Sequence, residues 1–256
     1  MLAEAGTTQW RDVAVVPETP STNAVVAARA RAGEPAGLVV VTEHQTAGRG
    51  RLDRVWVTPA RAALTFSLLV RPDAVPTARW PWLPLLAGLA VVEGVRRATG
   101  VEARLKWPND VLVDDAKVAG ILVERVESPA GAAAVVGVGL NVSSTRDELP
   151  VATATSLVLA GAGSPDRTRI LAEVLGAFAR PYDGWTAVGG DAGRGLHAAY
   201  VAECSTIGRD VRVELPDGSS LNGRAVGVDP DGRLEVAVEG RVQTLGAGDV
   251  VHVRPA

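Results

Sequence analysis

The sequence predicts an α+β fold: a mixed β-sheet with flanking helices, followed by a small antiparallel barrel. Three observations carry this. Strand-like apolar runs come in succession with few helices between them, which argues against a regularly wound βαβ sheet. Apolar residues make up 47% of the chain and charged residues 21%, an ordinary globular balance. From about Gly208 the texture changes to short alternating strands broken by PDG, DPDG and GAGD. A chain of 256 residues can hold one substantial core plus such a module.

The elements follow in order. STNAVVAARARAG (21–33) reads as a helix capped by Ser21 or Thr22 and ended by Gly33. GLVVVTEHQ is a buried strand running into the loop TAGRGRLDRVW (46–56), and ALTFSLLVRP (63–72) is a strand stopped by Pro72. After WPWLPL comes an amphipathic helix with Leu85, Leu86, Leu89 and Val92 on one face and Gly100 at its end. EARLKW, DVLVD and KVAGILVERVE read as three strands, the last two joined by a hairpin at 114–116. AAAVVGVGLNV (132–142) is a further strand. After Ser164-Pro165, Ile170, Leu171, Val174, Leu175 and Phe178 recur at helical spacing. A module as small as the final barrel gains little from its own core, so it is expected to pack on the larger domain.

Composition excludes several classes. No apolar run approaches the ~20 residues needed to cross a bilayer, and the amino terminus has no signal-peptide pattern, so a cytoplasmic protein without a membrane partner is expected. The single cysteine, Cys204, makes neither a disulfide nor a metal site and reads as a small core residue. Net charge is −3, which does not describe a nucleic-acid-binding surface. Positive charge is instead local: between His44 and Trp56 stand Arg49, Arg51 and Arg54 against Asp53.

Rare residues mark the same regions. Of 26 basic residues only Lys106 and Lys117 are lysines, and both fall in KWPNDVLVDDAK. Arginine does not replace lysine where a compact ammonium is needed. Three of four asparagines, Asn23, Asn109 and Asn141, sit in STN, WPND and GLNV; Asn222 reads as a polar turn residue.

GVGLNV and GRGRLD each lack the third glycine of a dinucleotide fingerprint, and the chain has no G-x-x-x-x-G-K-[ST] segment. His44, His197 and His252 have no ligand-like spacing, which disfavours zinc or a Ser-His-Asp triad. What remains suits anion binding. Gly48 and Gly50 can take φ > 0 and present backbone N–H groups, and Arg49 and Arg51 add planar forks.

Taken together, STN (21–23), EHQTAGRGR…W (43–56), KWPNDVLV…KVAGILVE (106–124) and GVGLNV (137–142) resemble, in order, the signature blocks of the biotin–protein ligases. The resemblance spans essentially the whole chain. It implies a class II synthetase-like catalytic domain of the biotin/lipoate ligase kind over 1–207 and an SH3-like β-barrel over 208–256. It further implies ATP-dependent conversion of biotin to biotinyl-5′-AMP and transfer to a lysine of a biotin carboxyl carrier protein domain of an acyl-CoA carboxylase. ATP and Mg²⁺ are the implied cofactors, and monomer and homodimer both remain open. With only 20 residues before Ser21 and no basic helix, the type without a DNA-binding helix-turn-helix is expected, and with it no DNA partner. A biotin-sensing repressor is the disfavoured reading; a lipoate–protein ligase is the enzymatic alternative.

By the same resemblance, Ser21, Thr22, Asn23 and Gln45 hold the ureido head and tail of biotin. Arg49, Gly50, Arg51 and Lys117 contact its carboxylate and the phosphates, Gly120 allows close backbone approach, and Arg49, Arg51 and Lys117 are the catalytic cations. Arg54, Trp56, Lys106, Asn109 and Asn141 fall on the adenylate side. Asp110 is open between Mg²⁺ ligation and deprotonating the acceptor lysine. Asp53 stands where the family pattern commonly has glycine.

The chemistry fits these residues. Two unit charges ~4 Å apart repel by roughly 4 kcal/mol at an effective dielectric of 20, so bringing a carboxylate to an α-phosphate requires fixed cations. A mixed anhydride must also be shielded from water, which a glycine-rich loop with an aromatic latch can do.

Overall fold

The computed structural model describes residues 9–52 and 54–253. The chain begins with β1 (Asp12–Val16), α1 (Thr22–Arg31) and β2 (Leu38–Thr42). A two-residue-per-arm hairpin, β3 (Gly48–Arg49) and β4 (Val55–Trp56), stands within the arginine-rich loop. Next come β5 (Ala63–Val70), α2 (Trp82–Thr99), β6 (Arg104–Lys106), β7 (Asp110–Val113), β8 (Ala116–Val126) and β9 (Ala133–Asn141). Then follow α3 (Arg167–Ala187) and α4 (Leu196–Glu203). The carboxy-terminal strands are β10 (Asp210–Glu214), β11 (Ser220–Val228), β12 (Leu234–Val238), β13 (Arg241–Leu245) and β14 (Asp249–His252).

The main sheet has seven strands in the order β1-β2-β5-β9-β8-β7-β6. Only β1–β2 is parallel, so the sheet is mixed, as the run of strands predicts. Its central strands β5 and β9 are buried along their whole length, which explains their unbroken apolar texture. Helices α2 and α3 pack together on one face, with Trp82, Leu86, Val174 and Phe178 in the principal core. Helix α1 covers the other face through a second cluster of Val26, Ala30, Leu38 and Leu69. Its start is capped by Ser21, whose hydroxyl accepts from the Ala24 amide, and Gly33 turns the chain away at φ +92°.

The last five strands form an antiparallel sheet ordered β13-β12-β11-β10-β14, with a bulge between Ala225 and Gly227 that bends β11. Asn222 is not a turn residue; it pairs with Arg212 inside this sheet. Two indoles bind the module to the rest of the chain. Trp82 Nε1 donates to Pro230 O at 2.8 Å and Trp107 Nε1 donates to Gly232 O at 2.9 Å. Val211, Val213, Leu234 and Val236 belong to the same apolar cluster as α2, so the barrel is fixed, not swinging. Cys204 is buried, as expected of a small core residue.

Candidate functional site

A cleft of about 1410 Å³ opens where α1, the β3–β4 hairpin, the main sheet and β14 meet. Its floor follows from strand register. Across β5, β9 and β8 one row reads Ser67, Gly137, Leu122; the next reads Thr65, Gly139, Gly120, with Asp110 of β7 beside Gly120. Small residues in both rows leave room above the sheet. A side chain at Gly137 would overlap Asn23, its Cβ falling 2.8 Å from Asn23 Cγ; one at Gly139 would lie 2.7 Å from Trp56 Nε1. The glycines of GVGLNV therefore serve close packing by α1 and by the loop. Gly120 sits beneath the same indole and beside Lys117, whose Nζ would lie 3.2 Å from an added Cβ.

One end of the cleft is polar and nearly neutral. Gln45 Oε1 accepts from the Thr22 amide at 2.8 Å and the Thr22 hydroxyl at 3.1 Å. The Ser67 hydroxyl lies 2.7 Å from Thr22 Oγ1 and 2.6 Å from Asn23 Oδ1, all of them buried. Asn23 Nδ2 donates to Glu124 Oε2 at 2.7 Å and to Leu122 O at 3.3 Å. A carboxylate only accepts, so Glu124 fixes which way the Asn23 amide faces. Buried polar groups held in this way form a rigid template for a ligand with its own donors and acceptors.

The other end is cationic. Lys117 Nζ lies 2.5 Å and Lys106 Nζ 3.4 Å from the two oxygens of Asp110. Arg51 donates to Asn109 Oδ1 at 3.1 Å, while Asn109 Nδ2 is anchored on Ile121 O. Arg54 pairs closely with Asp249, which also lies 3.9 Å from Arg51. Four cations against two carboxylates leave a net charge of +2. Burial pulls the Arg51 pKa down, Asp249 and Asp110 push it back up, and Arg54 lowers it again; the guanidinium stays charged. Lys117 also stands over the Trp56 ring, 5.8 Å from its centroid. The indole N–H of Trp56, buried in the cleft, has no hydrogen-bond partner among the described residues. Asn141 closes the floor and donates to Thr155 O at 3.0 Å, tying down the segment whose backbone brackets Lys117.

Every residue to which the resemblance gives a binding or catalytic role lines this one cleft, Ser21, Gly50 and Arg54 included, while Gly48 does not, and two expectations need correction. Gly48 and Gly50 do not use positive φ; among the described residues of the loop the left-handed one is Leu52, at φ +52°. Gly48 is small because a Cβ would overlap Trp56 O and lie 2.7 Å from Gln45 Nε2. The amide of Gly50 is not offered to an anion either, since it donates to Arg54 O at 2.6 Å. Second, Arg49 does not converge with Arg51 and Lys117. Strand β3 ends at Arg49 and the chain turns through Leu52, so Arg51 departs in a new direction. Arg49 instead meets Glu124 at 3.0 Å, beside Asn23. Asp53 lies outside the described residues.

Asp110, considered for Mg²⁺, is held between two ammonium groups, which disfavours it as a metal ligand. Among the described residues no cluster of three or more His, Cys, Asp or Glu could hold a metal ion. The described residues therefore do not build a protein-held Mg²⁺ cage.

Sequence reasoning gave no role to Ser67, Glu124 or Asp249. Ser67 carried a signal, a polar residue in the apolar run ALTFSLLV; Asp249, far along the chain, carried none.

Comparisons with known proteins show the family. Residues 15–141 match the model of the biotin/lipoate A/B protein ligase family, and residues 206–253 match the biotin protein ligase C terminal domain. A biotin–[acetyl-CoA-carboxylase] ligase of Mycobacterium tuberculosis is 45% identical over 249 residues, 96% of this chain and 90% of that one. The bifunctional ligase/repressor BirA of Bacillus spizizenii is 33% identical over 84% of this chain, which spans 66% of that protein. Among solved structures, the biotin protein ligase from Aquifex aeolicus in complex with biotin and ATP superposes with a TM-score of 0.80. It is 25% identical, with 96% of this chain and all of that chain covered.

Proposed function

Since the chain belongs to the biotin/lipoate A/B protein ligase family, we infer that it is a biotin–[acetyl-CoA-carboxylase] ligase. It activates biotin with ATP and joins it to a lysine of its carboxylase substrate. The observation that carries the residue roles is the division of one cleft into a neutral hydrogen-bonding end and a +2 end. Such a cleft suits a ligand with a polar uncharged head and an anionic tail.

In the first step a biotin carboxylate oxygen attacks the α-phosphorus of ATP, and pyrophosphate leaves. Lys117 and Arg51 sit where both anions must meet and offset their repulsion. Lys106 and Arg54 add charge on the nucleotide side, and Asn109 keeps Arg51 aimed. In the second step the ε-amine of the acceptor lysine attacks the acyl carbon, an amide forms, AMP leaves, and the amine's proton is released. Asp110 is the carboxylate nearest the two ammonium groups; as an acceptor of that proton it would first have to let one of them go. Mg²⁺ would enter with the nucleotide and supply further charge neutralisation. Ser21, Thr22, Asn23 and Gln45 take the ureido head, with the Arg49 side chain at that same end.

The acceptor we assign is a biotin carboxyl carrier protein domain, and the division into a catalytic unit (1–207) and a barrel (208–256) is our reading of the change at Gly208. ATP as a substrate supports a cytoplasmic setting. Monomer and homodimer both remain compatible with this reading. The test combines the protein, MgATP, biotin and a carrier domain and weighs the carrier. A gain of one biotinyl group is expected; no gain, or equal use of lipoate, overturns the assignment.

A further inference from the structure

We propose that Glu124 and Asp249 are positioning residues that pin the arginine loop at opposite ends of the cleft, making the barrel a working part of the closure. Neither needs to touch a substrate. Glu124, on β8, receives the Arg49 guanidinium at 3.0 and 3.1 Å and holds the Asn23 amide at 2.7 Å. Asp249, the first residue of β14, holds Arg54 in close contact and faces Arg51, which also donates to the neighbouring Gly248 O at 3.4 Å.

Between these two points the described loop residues are tied to the main sheet by one further side-chain hydrogen bond, Arg51 to Asn109 Oδ1 at 3.1 Å, and by the Trp56 indole under Lys117. The hairpin pairs only Gly48 with Trp56 and Arg49 with Val55. Leu52 and Val55 face solvent, so apolar burial contributes little beyond the Trp56 indole on Gly139 and Gly120. The two carboxylates come from different sheets and share no partner, so they act as independent clasps on one flap. Asp249 is itself mostly shielded from water, with 16% of its side chain exposed, whereas Arg54 retains 63%; the fixed member of the pair is on the barrel. The loop can thus hinge away from either clasp without disturbing the core, and closure over an adenylate requires both.

This deepens the ligase reading and rests on it for the adenylate, but the main test does not. Trypsin cuts after Arg49, Arg51 and Arg54 only when the loop lifts, and its rate follows the open population when opening is fast. A partly exposed ion pair shifts such an equilibrium by up to about fivefold. Glu124→Gln and Asp249→Asn should each raise loop cleavage about fivefold and, as independent contacts, about 25-fold together. Cleavage elsewhere in the chain should stay unchanged, thermal midpoints should fall by no more than a few degrees, the larger drop for Glu124→Gln because it also loosens Asn23, and Asp249→Glu should restore protection. Where the carboxylate variants fold poorly, Arg49→Gln with Arg54→Gln removes the same clasps from the exposed side and should accelerate cleavage after Arg51 equally. In the labelling assay the double variant should modify bystander lysines that the parent spares. Unchanged loop cleavage in the double variant, or cleavage rising throughout the chain with a fallen midpoint, overturns the proposal. Faster loop cleavage in a protein that never biotinylates its carrier leaves the clasps standing and overturns the ligase reading instead.

Discussion

Two alanines placed two residues apart on β9 should separate the two ends of the cleft. A methyl group at Gly137 would overlap Asn23 Oδ1 and sit 2.8 Å from its Cγ. Ordinary carbon contacts are about 3.5–4.0 Å, so Asn23 must retreat by roughly 1 Å. It cannot do so freely, because Nδ2 is bound to Glu124 at 2.7 Å and α1 is packed on the sheet. Overpacking of this kind costs about 1–3 kcal/mol, and a weakened hydrogen bond to a charged partner adds about 1 kcal/mol. At about 2–4 °C per kcal/mol for a chain of this size, Gly137→Ala should lower the melting midpoint by roughly 4–16 °C. A 1 Å misplacement of a binding group costs up to ~10²-fold, so the biotin KM should rise by about that factor while the ATP KM stays within a few-fold. Gly139→Ala meets Trp56 instead, whose hairpin can lift, so its midpoint should move by less than about 1 kcal/mol's worth. Its defect should appear in the ATP KM and in adenylate leakage. Biotin-dependent pyrophosphate release over a grid of both substrates reads all four constants. If Gly137→Ala keeps the parental biotin KM in a folded protein, the placement of the ureido head at Asn23 is wrong.

Other outcomes follow from single contacts. Lys117→Ala should cut pyrophosphate release by about 10²–10³-fold, the range for removing a group that stabilises developing charge, with little change in the melting midpoint; full activity would refute its role. Ser67→Ala removes the hydroxyl between Thr22 and Asn23 and leaves buried acceptors unmet, costing about 1–3 kcal/mol by urea titration with a raised biotin KM. His252 has its pKa lowered to about 4 by burial and by Lys106 and Arg209. The unfolded chain then takes up the proton first, so the stability from neutral His252 is complete above about pH 6.5 and is lost as pH falls toward 4. After discounting for partial exposure this is about 1–2 kcal/mol, and His252→Gln should flatten that part of the stability–pH curve.

Most of the fold was legible because its strands and helices carry local signals. The buried runs, the Ser21 cap, Gly100 and the PDG turns each reflect a constraint within a few residues. The short β3–β4 hairpin was not legible, since it is held by tertiary contact more than by propensity. Helix α4 was missed because only Tyr200 of its residues is buried, too weak an apolar stripe to detect. In the site, the residue types and their convergence were readable from rarity: two lysines in twelve residues and asparagines among apolar neighbours. Their pairing was not. Nothing local to Arg49 indicates that it faces Glu124 and not Lys117, because that choice depends on where β3 ends and which way Leu52 turns.

The glycines show the same limit from the other side. In sequence, G-x-G after a strand fails as a phosphate fingerprint, and Gly48 and Gly50 read as positive-φ positions that present backbone N–H groups. In the structure Gly48, Gly137 and Gly139 are gaps cut for particular neighbours: Trp56 O, Asn23 and the Trp56 ring. A gap is defined by what fills it, and the filling residues lie on α1 and on the loop, far away in the chain. The physical requirement is therefore spatial and not conformational, which is why alanine, fully compatible with strand backbone, is the decisive substitution at 137 and 139. A position at positive φ would be strained by alanine through the backbone. A gap fails through its occupant, and the two occupants here belong to opposite ends of the reaction.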